Sequence, residues 1–297
     1  MNSPIPHPQG LLLRQQPDFS LPDILDCGQC FRFWEVCGPD APAGCQTYEG
    51  VALGRYLRLQ RDPEGNVLLF DTTPEDFERL WRRYFDLDTD YCAIKTALSQ
   101  DPVLKEAAAW APGIRILRQE GWEALCCFII SQNNNIARIK GIVDRFCQSF
   151  GSSIGTFGGQ ERFAFPTPQQ LSGVTAEELA PLRAGFRAKY LADAVAKVNA
   201  GEVQLEELPT LPIEEARQQL QRIHGVGPKV AECALLYGFG RMECFPLDVW
   251  MKRVMAQLLP QGLPDCAREH AGIAQQYLFH YARTCPAAGL SPKERKI

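Results

Sequence analysis

The residues best suited to chemistry fall in one short stretch, Leu220-Gln221-Arg222-Ile223-His224-Gly225-Val226-Gly227-Pro228-Lys229, which runs into the largely apolar Val230–Tyr237. The pattern predicts helix, tight turn and helix over about 213–237. Gly225 and Gly227 permit a sharp turn and a close backbone approach to a ligand, while Pro228 suits the first position of the second helix. The free N–H groups and partial positive charge at that helix start suit a DNA phosphate without reading sequence. The same potential acts on Lys229 and favours its neutral amine, the form that attacks carbon. The commoner fate of a lysine beside glycines is to be solvated, and that alternative stays open. Asp248, in Pro246-Leu247-Asp248-Val249, opens a further helix, where its plain role is an N-cap.

Several other segments hold residues of interest. Three consecutive asparagines in Ser131-Gln132-Asn133-Asn134-Asn135-Ile136-Ala137-Arg138 suit a loop and a helix cap better than a helix interior. An ordinary polar junction would look the same. Gly185-Phe186-Arg187 precedes a helix and reads as a loop with one aromatic. Gly28, in Cys27-Gly28-Gln29-Cys30-Phe31-Arg32, lies in a stretch read as strand, where a bulge glycine is a ready explanation. Gln275 and Phe279 share one face of the segment 271–282, a spacing that usually marks core. Cys233, one turn after Lys229, reads as an inert buried thiol.

The elements that position these residues are of two kinds. Residues 18–72 predict antiparallel strands in CFRFWEV, TYEGVALGRYLRLQ and NVLLFD, with turn residues between them. Thr73 and Pro74 then open a helix whose Phe77, Leu80, Trp81, Tyr84 and Phe85 face the sheet. From about residue 93 the periodicity is helical, with one stripe of Ile136, Ile139, Val143, Phe146 and Phe150 and another of Ala216, Leu220 and Ile223. The expected class is α+β: a β domain over 1–92 and an all-helical domain over 93–297, with the boundary in the polar stretch near residue 92.

Composition narrows the function. The 297 residues are 45% hydrophobic and 22% charged, enough for a substantial core. A net charge of −4 excludes a basic coat that binds nucleic acid everywhere, so any DNA contact is local. No basic stretch leads into a long apolar run, and none approaches about 18 uninterrupted apolar residues. A cytoplasmic protein that avoids membranes is expected. Twelve cysteines scattered through apolar segments suit reduced thiols.

The pairing of HGVGPK with PLDV resembles the signature of the helix-hairpin-helix glycosylase superfamily. From about residue 18 to 283 the chain resembles its 8-oxoguanine DNA glycosylase, or OGG-type, branch. The resemblance implies a base excision repair enzyme in which Lys229 attacks the sugar C1′ and Asp248 stabilises the positive charge that develops, with strand cleavage by β-elimination from the Schiff base. It further implies that Gly28, Cys233, Gln275 and Phe279 hold the flipped 8-oxoguanine. Asn133 fills the gap, Arg138 and Arg187 bind the orphaned cytosine, and Phe186 is the wedge, where tyrosine is more frequent in the family. Gly225 and Gly227 approach the DNA backbone. Carbonyls of Gln221, Ile223 and Val226 hold a monovalent or calcium ion, no cofactor is required, and the protein acts as a monomer on double-stranded DNA. Trp250 stands where the family often has histidine, which puts phosphate or base contacts there in doubt.

Alternatives follow from the same residues. A sister glycosylase for alkylated or mispaired bases shares the hairpin, but its monofunctional members lack the lysine. Iron–sulfur relatives carry four clustered cysteines after the hairpin, whereas only Cys266 and Cys285 follow Cys244 here, so no cluster is expected. Cys27, Cys30, Cys37 and Cys45 have irregular spacing for zinc. A non-enzymatic DNA grip would need neither Lys229 nor Asp248.

Overall fold

The computed structural model describes residues 4–37 and 42–289. Six strands, β1 (Ile5–His7), β2 (Gly10–Leu13), β3 (Phe33–Glu35), β4 (Gln46–Ala52), β5 (Arg55–Arg61) and β6 (Val67–Phe70), form a sheet of order β1-β2-β6-β5-β4-β3. The β4–β5 turn has positive φ at both Leu53 (53°) and Gly54 (69°), the twist that suits a two-residue hairpin. Strand β1 carries Pro6 at the sheet edge, where a missing N–H is tolerated.

The helices are α1 (Leu21–Leu25), α2 (Pro74–Asp76), α3 (Arg82–Tyr84), α4 (Tyr91–Leu98), α5 (Pro102–Trp110), α6 (Gly121–Ser131) and α7 (Ile136–Phe150). After them come α8 (Arg187–Asn199), α9 (Ile213–Gln221), α10 (Pro228–Phe239), α11 (Val249–Leu258) and α12 (Ala271–Thr284). A wider π turn, Phe77–Trp81, joins α2 to α3, and Thr73 caps the run by accepting from the Asp76 N–H at 3.1 Å. Phe77, Trp81, Tyr84 and Phe85 are buried, and Tyr84 meets Phe33 of the sheet with ring centroids 6.3 Å apart. Among the described residues no helix is long and apolar enough to cross a membrane.

Three features depart from the sequence expectation. Cys27–Arg32 is a run of bends rather than strand, because Gly28 has a φ of 90°, which breaks the extended path. A two-stranded hairpin, β7 (Ser153–Phe157) and β8 (Gln160–Phe163), interrupts the helical part; Gly158 and Gly159 turn it with φ of 56° and 75°.

The third departure is the domain boundary near residue 92. One compact unit holds the described residues up to Gly50, Leu57–Arg118 and those from Leu247 on; the other holds Val51–Tyr56 and Gln119–Pro246. The chain returns to the sheet-bearing unit through α12. Trp110 Nε1 of α5 donates to Thr284 Oγ1 at 2.8 Å, and Tyr281 Oη donates to Glu106 Oε2 at 3.1 Å.

Candidate active site and DNA-facing turns

In the helical unit, α9, a turn and α10 form the predicted helix-hairpin-helix. Ile223 O accepts from Val226 N at 3.0 Å across the turn. Gly225 has a φ of 80°, and a Cβ there would lie 2.3 Å from the Tyr190 ring. Both facts require glycine. Gly227 differs: a Cβ would meet nothing within 4 Å, so the backbone at the start of α10 is open to a ligand. Val226 and Ile223 turn their side chains into the core, and Gln221 ends α9 exposed.

Lys229 is the second residue of α10, half-buried, with its Nζ 5.5 Å from the centroid of the Phe128 ring. Phe128 in turn stacks on Tyr237 at 5.2 Å and 20°. Small residues set this geometry by letting α6 and α10 approach closely. A Cβ on Gly121 would lie 2.3 Å from Phe239, and one on Gly238 would lie 2.8 Å from the Ala124 Cβ. Leu125, Ile129, Leu235 and Leu236 are wholly buried, each stabilising the unit by about 1.5–3 kcal/mol. The lysine therefore stands on a rigid pair of helices. Cys233, one turn on, is buried.

The three asparagines divide their tasks. Asn134 Nδ2 donates to Ile130 O at 3.1 Å, and Asn135 caps α7 by accepting from Arg138 N at 3.0 Å. That leaves Asn133 exposed, with a left-handed φ of 48°. Arg138 is also exposed, in the first turn of α7. Phe186 is half exposed, and its ring meets Tyr190 at 5.6 Å, which meets His224 of the hairpin at 5.0 Å. Arg187 is buried; its Nε donates to Gln132 O at 2.8 Å, Nη1 to Ala184 O at 3.1 Å and Nη2 to Asn133 O at 2.8 Å, with a further Nη2 bond to Gln132 O. Its guanidinium also covers the Phe186 ring at 4.5 Å. The 132–135 turn, Phe186 and the hairpin are thus joined by contacts through Arg187 and Tyr190. Asp193 adds to them, since its Oδ2 accepts from His224 N at 2.6 Å and pairs with Lys197 at 2.9 Å.

The sheet-bearing unit holds the other candidates. Gly28 is half-exposed with a φ of 90°, a conformation other residues rarely adopt. Its bend is fixed on both sides. Gln29 donates to Ile24 O at 2.9 Å and Arg115 O at 2.8 Å, and Gln276 Nε2 donates to Cys27 O at 3.3 Å. Gln276 therefore ties α12 to the Gly28 bend, one residue from Gln275. Gln275 is buried and Phe279, one turn on, is half-buried. Asp248 caps α11, its Oδ1 accepting from Met251 N at 2.7 Å, and a carboxylate keeps a second oxygen for other work. Trp250 is buried, and its Nε1 has no hydrogen-bond partner among the described residues. Burial pushes the Cys27 thiol up to about 12. Its Sγ donates to Ile24 O at 3.3 Å, and among the described residues no three His, Cys, Asp or Glu side chains converge on a metal position.

Sequence reasoning missed Phe128, Tyr190, Asp193, Gln29 and Gln276. Phe128 lies in an apolar helix and carries no signal of its own. Tyr190 and Asp193 are one turn or less apart on α8, and only the fold brings them to the hairpin.

Known proteins agree with this architecture. Residues 11–125 match the family model of the 8-oxoguanine DNA glycosylase N-terminal domain, and 126–262 match the HhH-GPD superfamily of base excision DNA repair proteins. The N-glycosylase/DNA lyase OGG1 of Arabidopsis thaliana is 30% identical over 89% of this chain and 73% of its own length. A structure of MBOgg1 with a low-affinity DNA ligand is 40% identical, covers 94% of this chain and 97% of that one, and has a TM-score of 0.85. The 8-oxoguanine glycosylase/lyase of Clostridium acetobutylicum, solved with double-stranded DNA containing cytosine opposite 8-oxoG, is 36% identical over 95% of this chain and 98% of that one, with a TM-score of 0.85. Fold and hairpin define an HhH-GPD enzyme of base excision DNA repair. Within that class the chain belongs to the 8-oxoguanine DNA glycosylase family, whose relatives are N-glycosylase/DNA lyases.

Proposed function

We propose that this chain excises 8-oxoguanine lying opposite cytosine in duplex DNA, and then cuts the abasic strand, with Lys229 as nucleophile. The observation that carries this reading is the placement of Lys229: second residue of a helix whose Gly227 start is open, resting on the Phe128 ring.

The chemistry follows in order. Lys229 Nζ attacks C1′, and the glycosidic bond breaks with its electron pair on the departing base, which takes up a proton. Asp248 balances the positive charge that develops on the sugar. Loss of Nζ protons and opening of the sugar ring give the Schiff base. Removal of a C2′ proton then expels the 3′ phosphate, and water hydrolyses the imine to free the lysine.

Recognition turns on one proton. Guanine N7 accepts a hydrogen bond, whereas 8-oxoguanine carries a proton there and donates one to the Gly28 carbonyl. Gln275 meets the Watson–Crick edge and Phe279 stacks on the ring, with Cys233 beside Lys229 at the base. Asn133 and Phe186 enter the duplex where the base has left, which restores part of the lost stacking. Arg138 meets the orphaned cytosine. The hairpin grips a phosphate through the open N–H groups at Gly227 and the start of α10, and the carbonyls of Gln221, Ile223 and Val226 would hold a monovalent or calcium ion against it. Ile223 O keeps one lone pair for this beyond its bond to Val226. The enzyme acts as a monomer, in whichever compartment holds the DNA.

Duplexes carrying 8-oxoguanine opposite each of the four bases, with an undamaged duplex beside them, test the substrate. Release of free 8-oxoguanine is expected, fastest opposite cytosine. Release of alkylated bases with 8-oxoguanine left intact would contradict the reading.

A further inference from the structure

Away from the lysine and the DNA-facing turns, the sheet-bearing unit has a cleft of about 590 Å³ between residues 15–18 and 87–91. Arg115 lines it from within and is only 3% exposed. Its guanidinium makes no hydrogen bond to any described residue, and Nε and Nη1 are buried. What the guanidinium does meet is a ring, with the Tyr91 centroid 4.4 Å away. That contact takes up one flat face and leaves the N–H edges unanswered. Buried donors without partners are rare, and they cost most on a charged group.

The neighbouring carboxylates are engaged elsewhere. Asp18 pairs with Lys95, Asp88 with Arg82 at 3.3 Å, and Asp86 with Arg118 at 3.0 Å. Asp90 caps α4, its Oδ1 accepting from Ala93 N at 3.0 Å. The backbone that carries Arg115 is fixed: Arg115 O accepts from Gln29 Nε2 at 2.8 Å, and Ile116 N donates to Tyr91 Oη at 2.8 Å. Burial presses against the Arg115 charge more than the nearby oxygens of Tyr91, Asp86 and Asp18 support it. Tyr277 Oη of α12 is also buried without a partner among the described residues, and it lies close enough to feel the Arg115 charge.

We propose that this cleft binds a small monocarboxylate, whose two oxygens meet the N–H edge of Arg115. A carboxylate matches that edge in plane, fork on fork, while the Tyr91 ring closes one face. The ligand carries a single charge, because Asp90 and Asp88, whose side chain is 75% exposed, put negative charge at the rim. That rim repels polyanions, the DNA backbone included. The volume suits an acid of metabolite size. This site stands apart from the lesion chemistry proposed above and does not depend on it.

Arginine Nε–H resonances of the isotope-labelled protein, followed as sodium chloride is replaced by sodium acetate at constant ionic strength, test the site directly. The Arg115 resonance should shift saturably, with half-saturation on the order of 1–10 mM for one bidentate ion pair. Sulfate, doubly charged, should bind at least about tenfold more weakly. A shift linear in acetate, or saturation by sulfate at the same concentration, would overturn the proposal. Arg115→Met keeps an unbranched stem and removes the charge, which separates binding from general salt effects. Acetate at about ten times its half-saturating concentration should raise the wild-type melting temperature by about 2–4 °C and leave that of Arg115→Met unchanged. An equal rise in both proteins would put the acetate elsewhere and overturn the proposal. Should Arg115→Met not fold, the Arg115 resonance decides alone.

Discussion

The Nζ of Lys229 stands 5.5 Å from the centroid of the Phe128 ring, a contact between the second residue of α10 and the middle of α6. Such a contact orients a cation on a half-buried face and is worth about 0.5–1 kcal/mol. Phe128→Leu keeps an apolar side chain, though a smaller one, and removes the π face. Single-turnover excision should fall by about two- to fivefold with DNA affinity retained. A rate equal to wild type would show that the ring does not orient the amine.

The two hairpin glycines should respond differently to alanine. Gly225→Ala puts a Cβ against the Tyr190 ring at a φ of 80°, and should destabilise the protein by about 1–3 kcal/mol. Gly227→Ala meets no atom within 4 Å and should leave thermal stability near wild type. Its methyl group instead stands where a phosphate would approach, so affinity for undamaged duplex should drop. Melting curves and fluorescence anisotropy check the pair. Equal destabilisation by both would contradict the distinct roles.

Much of this site is legible in the sequence where local backbone chemistry dictates structure. Gly225, Gly227 and Pro228 announce a turn and a helix start, and Asn133–Asn135 announce a helix junction. Residues whose role depends on distant contacts are not legible. Phe128 and Tyr190 look like ordinary helix positions until α10 and the hairpin fold against them. The Cys27–Arg32 strand expectation fails because Gly28 adopts a φ of 90° that breaks the extended path, something no periodicity reveals. The return of α12 to the sheet-bearing unit is likewise invisible to any single cut of the chain near residue 92.

Acid should loosen the hairpin through Asp193. Burial opposes its charge, yet the His224 N–H and Lys197 outweigh that and hold its carboxyl below the ordinary value. A depressed folded value means that the extra stability is fully present above the unfolded value, near about 4, and is lost as pH falls through the folded one. Urea unfolding of wild type and Asp193→Asn between pH 6 and pH 3, at about half-unit steps, measures this. The variant should be less stable at the upper end, and the gap should close toward the lower end. Parallel curves would show that the Asp193 contacts do not contribute.

The central claim is that Lys229 forms the covalent bond. Borohydride trapping on duplex DNA with 8-oxoguanine opposite cytosine tests it most directly, comparing wild type with Lys229→Gln. The account predicts a wild-type adduct on the damaged duplex, none on undamaged DNA, and none with Lys229→Gln, which should still bind the lesion. An adduct of equal yield in Lys229→Gln, or none in a wild type that excises the base, would contradict it.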